Sequence, residues 1–229
     1  MPESVPVTTV QPISQVRWEP LKDVVYRELR DAIVAAKYPP GTALTVRATA
    51  EAMGVSPMPV RSAFDRLVAE RVVEASSSGT VRIPRMSRRR FTELVEMRTL
   101  LEGQAAEAAA GRAGAADIVA LRSLAQRLAE AAQTDDSAAY LLLNREFKFT
   151  VYRLSGSAVL VDLIERVWLQ IAPFLHFYGA GVREQSGTDQ YDAIVAALAA
   201  GDGPAARAAT VRDIVSGAEF LLATGEFAD

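Results

Sequence analysis

The side chains best suited to chemistry lie on one face of a helix that the sequence predicts over about residues 57–71. The members of this face are Met58, Arg61, Ser62, Asp65 and Arg66. The opposite face is apolar at helical spacing and consists of Val60, Ala63, Phe64 and Leu67. Guanidinium groups on such a face can contact phosphates or base edges. An isolated helix with such a face is usually only a solvated surface.

The residues around this helix place it in a winged helix-turn-helix. Gly54 can adopt the positive φ that ends one helix, Ser56 can cap the next helix through its hydroxyl, and Pro57 suits its first turn. A strand is predicted to start at residues 72–73, a turn at 76–79 and a returning strand at 80–83. Two short helices followed by this hairpin give the order of the motif.

Further helices are predicted on both sides of this motif. The first amphipathic helix carries apolar residues at helical spacing on Leu21, Val24, Val25, Leu29, Ala32 and Ile33. After residue 90 the pattern is helical, with breaks at 111–114, 155–156, 179–187 and 201–203. Pro173 is expected to kink a helix that ends near Tyr178, and Asp202 to cap one after Gly201. We therefore predict a mainly α protein whose second part is a bundle of about six helices.

Composition and charge disfavour several other classes of protein. The 229 residues include no cysteine and a single histidine, which rules out disulfides and disfavours a histidine-rich metal centre. No apolar run is long enough for a membrane span, and residues 1–17 are expected to form a disordered tail without the features of a secretion signal. Residues 1–90 carry 14 Lys and Arg against 9 Asp and Glu, and the remainder carries 11 against 19. The basic first part suits a polyanion, although ordinary surface charge gives the same count.

The sequence resembles the GntR family of bacterial transcription regulators, in the FadR-like subgroup with a helical C-terminal effector domain. The resemblance covers about residues 20–224. In the first domain it rests on Leu29, Arg30, Ile33, Pro40, Gly41, Leu44, Gly54, Val55, Ser56, Pro59, Val60, Arg61, Ala63, Arg66, Leu67 and Val73. In the second it rests on Glu96, Met97, Arg98, Leu101, Glu102, residues 144–148, residues 194–198, Gly201 and Asp202.

The resemblance implies a set of DNA contacts. Arg47 matches a DNA-contacting arginine of the second helix, and Arg61 matches one where a guanidinium can reach the acceptors of guanine. The full predicted set is Arg47, Ser56, Met58, Arg61 and Arg66, with Gly79, Thr80 and Arg82 at the wing. Met58 either touches a thymine methyl group or packs against the turn. Pro57 stands where the family commonly has arginine, so one basic contact is lost.

The resemblance also identifies four positions in the bundle where many relatives hold a divalent metal with one Asp and three His. The matching residues here are Asn144, Lys148, Tyr191 and Asp213. A protonated lysine repels a cation and offers it no lone pair, so we predict no metal and no other cofactor. Lys148 then either pairs with Asp213 as a structural ion pair or takes over the task of holding an anionic effector.

In the second alternative several side chains surround the effector. Arg98 would engage its carboxylate together with Lys148, or would instead only pair with Glu102 at helical spacing. Asn144, Tyr152, Tyr191 and His176 would supply hydrogen bonds, although a packed His176 with one hydrogen bond fits its apolar surroundings as well.

These expectations define a cytoplasmic, homodimeric transcription regulator, a metabolite-responsive repressor that binds double-stranded DNA at a near-palindromic operator. Its predicted parts are a tail at 1–17, a winged helix-turn-helix at 18–84, a linker at 85–90 and an effector-binding and dimerisation domain at 91–229. The predicted effector is a small organic acid. One alternative is a metabolite-binding module with weakened DNA binding. A remote one is an all-helical enzyme using Lys148, Tyr191 and Asp213, but no nucleophile and base spacing accompanies them, and no catalytic residue is predicted.

Overall fold

The computed structural model describes residues 19–77, 79–134, 136–180 and 189–228, without side-chain placements for residues 77, 176 and 178–180. The predicted tail at 1–17 therefore lies outside the described residues. Six elements form the N-terminal domain: α1 (Leu21–Val34), β1 (Ala43–Thr45), α2 (Val46–Met53), α3 (Pro57–Ala69), β2 (Glu74–Ser77) and β3 (Thr80–Arg82). This is the winged helix-turn-helix that the sequence predicts.

The core of this domain forms where α1 packs against α3. Helix α1 buries Val25, Tyr26, Leu29 and Ile33. Helix α3 buries the four residues predicted from their spacing, Val60, Ala63, Phe64 and Leu67. A fully buried aliphatic or aromatic side chain contributes roughly 1.5–3 kcal/mol, so this contact fixes the exposed face of α3 on the opposite side.

The turn between α2 and α3 depends on one glycine. Gly54 has φ 64° in the left-handed region, and it directly follows α2. Helix α3 begins with Pro57 after Ser56, but the Ser56 side chain makes no capping hydrogen bond. The expected hydroxyl cap is therefore wrong, because the third residue of the helix, whose amide such a cap commonly engages, is Pro59 and has no N–H. Thr45 instead caps α2, since its hydroxyl accepts a hydrogen bond from the Ala48 amide at 3.2 Å.

The wing is a three-stranded antiparallel sheet with the strand order β1, β3, β2. Strand β1 was not predicted, and it pairs Ala43 with Arg82 across the sheet. Two predicted boundaries are wrong by two residues. Helix α3 ends at Ala69, and β2 starts at Glu74, because Arg71 adopts a positive φ of 59° and Val72 and Val73 pack into the core before the strand begins.

The C-terminal domain is a helical bundle, and six α-helices lie in its described residues. They are α4 (Arg88–Ala110), α5 (Ala115–Gln133), α6 (Ser137–Leu154), α7 (Ala158–Ile171), α8 (Asp189–Ala199) and α9 (Gly203–Thr224). A 3-10 helix, Ala172–Ala180, follows α7 directly. The central contact is between α4 and α9, and the core between them and their neighbours is rich in alanine and aromatic side chains.

Three predicted boundaries of the bundle need correction. Helix α4 already begins at Arg88, capped by Ser87, so half of the predicted 85–90 linker is helical. The helix expected to reach Tyr178 ends as an α-helix at Ile171, because Pro173 cannot donate the next backbone hydrogen bond. The predicted 179–187 loop starts in the 3-10 helix, and its remainder from 181 lies outside the described residues. The break at Gly201 is confirmed by its φ of 68°, and Asp202 caps α9.

Helix α7 joins the two domains. Its residue Leu169 is buried in the hydrophobic core of the N-terminal domain. On the same helix Glu165 forms an ion pair with Arg30 of α1. None of the helices in the described residues has the length and apolar character that crossing a membrane requires.

Candidate DNA-binding face and effector pocket

The exposed face of α3 and the wing border one groove. Arg61 on α3 and Gly79 and Thr80 on the wing all line this groove, which has a volume of about 250 Å³. The backbone amide of Val46 donates to the Gly79 carbonyl at 2.9 Å, which ties the wing to the start of α2. The structure thus brings two of the three predicted wing residues, Gly79 and Thr80, beside the predicted recognition arginine, whereas Arg82 does not line the groove.

Several predicted DNA contacts extend into solvent. Arg47, Ser56 and Arg61 are exposed, and Met58 has 69% of its surface accessible. Among the described residues neither Arg47 nor Arg61 has an ion-pair or hydrogen-bonding partner for its side chain. Packing of Met58 against the turn, one of the two alternatives drawn from the sequence, is inconsistent with that exposure. Cations without internal partners are free to neutralise phosphates.

Two other predicted DNA contacts are held by the protein itself. Arg66 donates to Glu70 at 3.1 Å and lies 3.6 Å from the centre of the Tyr26 ring. Arg82 donates to the Gly41 carbonyl at 2.8 Å. Both side chains are exposed, so their contacts reduce their availability without removing it.

In the bundle the four residues singled out at the metal positions come together. The Lys148 ammonium contacts the Asp213 carboxylate. The Tyr191 hydroxyl donates to the Asn144 amide oxygen at 3.1 Å and lies 3.1 Å from the Tyr140 hydroxyl. Helices α6, α8 and α9 supply these side chains, and they line a cavity of about 40 Å³ together with Arg98 of α4. Tyr140 was missed, because its position on α6 shows only apolar helical spacing in the sequence.

Beside this cavity lies a carboxylate that is completely buried. Glu102 of α4 accepts hydrogen bonds from Arg98 at 2.6 Å and 3.3 Å. It also accepts one from the Trp168 indole at 2.9 Å and one from the Tyr152 hydroxyl. The sequence suggested only the pairing of Arg98 with Glu102 at helical spacing. The contributions of Trp168 and Tyr152 come from α7 and α6 and leave no local pattern.

The electrostatics of the cluster favour its charged form. Burial by itself would raise the pKa of Glu102, but the Arg98 and Lys148 charges and the hydrogen bonds from Arg98 and Tyr152 outweigh it and lower that pKa. Burial and the neighbouring Glu102 carboxylate hold the pKa of Tyr152 well above its ordinary value. Burial also raises the pKa of Tyr140 to about 12. The carboxylate is therefore ionised and both phenols are neutral near pH 7.

The predicted effector contacts divide into three groups. Arg98, Asn144, Lys148, Tyr191 and Asp213 line the cavity. Tyr152 is buried against Glu102 and does not line it, so its expected contact with an effector is not provided by this arrangement. The side chain of His176 lies outside the described residues.

Comparison with known proteins defines the class of this molecule. Residues 21–83 match the bacterial regulatory proteins of the gntR family, and residues 93–215 match the FCD domain. The chain belongs to the GntR family of transcription regulators and carries an effector-binding FCD domain.

Individual relatives agree with this assignment. The chain is 26% identical over 181 residues to the HTH-type transcriptional regulator McbR of Escherichia coli strain K12. The aligned region covers 78% of this chain and 82% of that protein. The structure of E. coli McbR/YncC matches 90% of this chain and 99% of its own with a TM-score of 0.84 at 26% identity. A putative transcriptional regulator GntR from Rhodococcus sp. RHA1 has the same fold, with a TM-score of 0.74 at 22% identity over 88% and 97% of the two chains.

The residues at the metal positions of such domains do not suit a divalent cation here. Asp213 is the single carboxylate among the four, and its charge is already balanced by Lys148. Asn144 and Tyr191 add neutral oxygens that bond to each other. Within the described ranges no group of three or more His, Cys, Asp or Glu could hold a metal. An ammonium beside one carboxylate is a poor substitute for the anionic oxygen ligands that hard cations prefer.

Proposed function

We propose that this protein is a homodimeric repressor that binds a near-palindromic operator in the cytoplasm and responds to a small organic acid. The observation that carries the DNA-binding part is a difference between the arginines of this face. Arg66 and Arg82 bond to other residues of the chain. Among the described residues, Arg47 and Arg61 are exposed and have no side-chain partner, and Arg61 shares a groove with the wing. A guanidinium in this position can bind guanine in the major groove through two hydrogen bonds.

One surface feature supports the dimer, and the dimer in turn implies the symmetry of the operator. Met97 and Leu100 of α4 are exposed large apolar residues three positions apart, and such residues are candidates for burial in a subunit contact. A twofold dimer presents two recognition helices to two half-sites, which requires operator symmetry of the same kind.

Helix α7 supports communication between the pocket and the DNA-binding domain. Trp168 bonds to Glu102 beside the cavity, whereas the next residue, Leu169, lies in the core of the N-terminal domain. Glu165 of the same helix pairs with Arg30 of α1. We consider two placements of α7 relative to the bundle. A ligand that binds more tightly to one of them shifts the equilibrium towards it, to an extent set by the difference in affinity, and the DNA-binding domains are rearranged with the helix.

A second candidate function is a metabolite-binding module with weak DNA binding. The observation that favours it is the start of α3, where Pro57 and Pro59 lack the amide hydrogens that could reach a phosphate. This candidate predicts weak binding, a shallow salt dependence and no preference for particular DNA.

The experiment that separates these functions measures binding of the full chain to two duplexes over a series of salt concentrations. One duplex is the DNA upstream of the gene for this protein, and the other is a shuffled sequence. A regulator prefers its own DNA, and its affinity falls steeply with salt. Arg61→Ala should weaken specific binding by about 1–3 kcal/mol and relax the sequence preference. Arg122→Ala, an exposed arginine on α5, is the matched control and should bind like the wild type. Equal affinity of the wild type for both duplexes contradicts the proposal.

A further inference from the structure

The charges around the bundle cavity balance each other. Arg98 and Glu102 form one pair, and Lys148 and Asp213 form another. Arg98, Glu102 and Lys148 are buried, and the Asp213 side chain is 14% exposed. Among the described residues that line the cavity or bond directly to its lining, two cations and two anions are therefore present. A ligand with a net charge would leave this buried cluster unbalanced, and burying an unpaired charge is unfavourable.

The size of the cavity adds a second constraint. Its volume of about 40 Å³ is far below the roughly 300 Å³ at which pockets for small-molecule ligands begin. A larger ligand must therefore move side chains apart. The pair of Arg98 and Glu102 is held by further bonds from Tyr152 and Trp168. Lys148 and Asp213 have only each other among the described hydrogen bonds of their side chains. The pair that can separate is the second one.

Separation of Lys148 from Asp213 creates two needs at once. The ammonium then requires an anion, and the carboxylate requires a cation. A simple carboxylate satisfies the first and leaves Asp213 without a partner. A ligand that carries both charges satisfies both and leaves the cluster neutral.

We propose that the effector is a zwitterion, an α-amino acid with an apolar side chain, whose carboxylate binds Lys148 and whose ammonium binds Asp213. This inference rests on the proposed function that the cavity receives an effector, and it narrows the organic acid to one class. The amide of Asn144 and the Tyr140 hydroxyl lie at the same cavity and can complete the hydrogen bonds of the charged groups. The apolar part of the lining suits the side chain and comprises Phe91, Leu141, Leu175, Ile214 and Leu221.

Matched sets of three ligands test this proposal on the full chain. Each set shares one side chain and comprises the amino acid, the acid without the amino group and the amine without the carboxyl group. Leucine, 4-methylpentanoate and 3-methylbutylamine form one set, and methionine and phenylalanine provide two more. We expect one amino acid to raise the unfolding temperature, and each of its two analogues to bind at least about tenfold more weakly by calorimetry.

Two variants assign the charges. Asp213→Asn should reverse the preference, because it removes the partner of the ammonium and leaves Lys148 free for a simple carboxylate. Lys148→Met should abolish binding of the amino acid and of the deaminated acid alike. Glu146→Gln, an exposed change on the same helix as Lys148, should leave all three ligands unaffected. The comparison of the three ligands of each set on the wild-type protein decides the proposal even where a variant does not fold.

The outcomes separate this inference from the function on which it rests. Binding of the deaminated acid as tightly as the amino acid overturns the zwitterion and leaves an organic-acid effector, since Asp213 would then have moved towards solvent. Absence of stabilisation by every amino acid also overturns it. Neither result affects preferential binding to operator DNA, which is measured without any ligand.

Discussion

The two domains use their charged residues in opposite ways. On the DNA-binding face Arg47 and Arg61 are exposed and unpaired within the described chain. In the bundle Arg98 and Lys148 are buried, and each contacts a carboxylate. Hydrated cations can exchange their counterions for phosphates at little structural cost. Buried cations must be neutralised before any ligand arrives, because an unpaired charge would destabilise the fold.

This difference separates binding from stability. A substitution on the DNA-binding face removes a contact that exists only in the complex, so the free protein should be unaffected. A substitution in the buried cluster removes a partner that the folded chain itself requires. Titration with operator DNA measures the first effect, and urea denaturation measures the second.

The largest effect is expected from Glu102→Gln. The change keeps the shape of the side chain but removes the charge that neutralises Arg98, and leaves the Tyr152 and Trp168 donors with a weaker acceptor. The free energy of unfolding should fall by about 3–5 kcal/mol, the usual cost of breaking a buried ion pair. Urea denaturation, monitored by circular dichroism, measures this free energy.

The exposed change Glu146→Gln is the control for charge alone and should alter stability by less than about 0.5 kcal/mol. A loss of less than about 1 kcal/mol for Glu102→Gln would mean that water solvates Arg98 or that another anionic group neutralises it.

Alkaline pH offers a comparison of one buried tyrosine from each domain. Burial raises the pKa of both Tyr26 and Tyr140 to about 12, and Tyr26 additionally donates to Glu70. A folded pKa above the unfolded value of 10.0 favours the neutral phenol in the native state. The resulting stability is complete below pH 10 and is lost as the pH rises through about 12.

We therefore expect the free energy of unfolding to decline across that interval, together with the appearance of tyrosinate absorbance. Tyr26→Phe and Tyr140→Phe should each reduce the slope, because each removes one group that binds a proton more tightly in the folded state. An unchanged slope in either variant would show that its phenol titrates normally.

Local patterns in the sequence predicted most of the fold. The recurrence of apolar residues every three to four positions placed α1 and the buried face of α3, and glycine chemistry placed the turns at Gly54 and Gly201. Strand β1 escaped detection because three residues cannot display a period, and its pairing depends on the edge of β3. The ends of α3 and α7 were misplaced because Arg71 adopts a positive φ and Pro173 interrupts the backbone hydrogen bonds.

The candidate sites were predictable to different extents for a similar reason. The predicted residues of the DNA-binding face all lie between 47 and 82, and the α3 pattern contained three of them, Met58, Arg61 and Arg66. The buried cluster combines α4, α6, α7 and α9, and the bond from Trp168 to Glu102 spans 66 residues. Helical spacing could indicate that Arg98 reaches Glu102, but the other two donors depend on how the helices pack. The position of Leu169 in the core of the other domain depends on packing in the same way.

The smallest effect on stability is expected from Arg66→Ala. This variant tests the difference between a paired and an unpaired arginine within a single helix. Arg66 is about half exposed, and it already contacts Glu70 and the Tyr26 ring. Its removal should lower the free energy of unfolding by less than about 1 kcal/mol, as for other exposed ion pairs and cation-π contacts. Arg61→Ala on the same helix should leave stability unchanged and weaken DNA binding by about 1–3 kcal/mol. Titrating both variants with operator DNA and with urea gives the two quantities side by side. If Arg66→Ala weakens DNA binding as much as Arg61→Ala, then Arg66 leaves Tyr26 when the operator binds, and the DNA contact predicted for it from the sequence is correct.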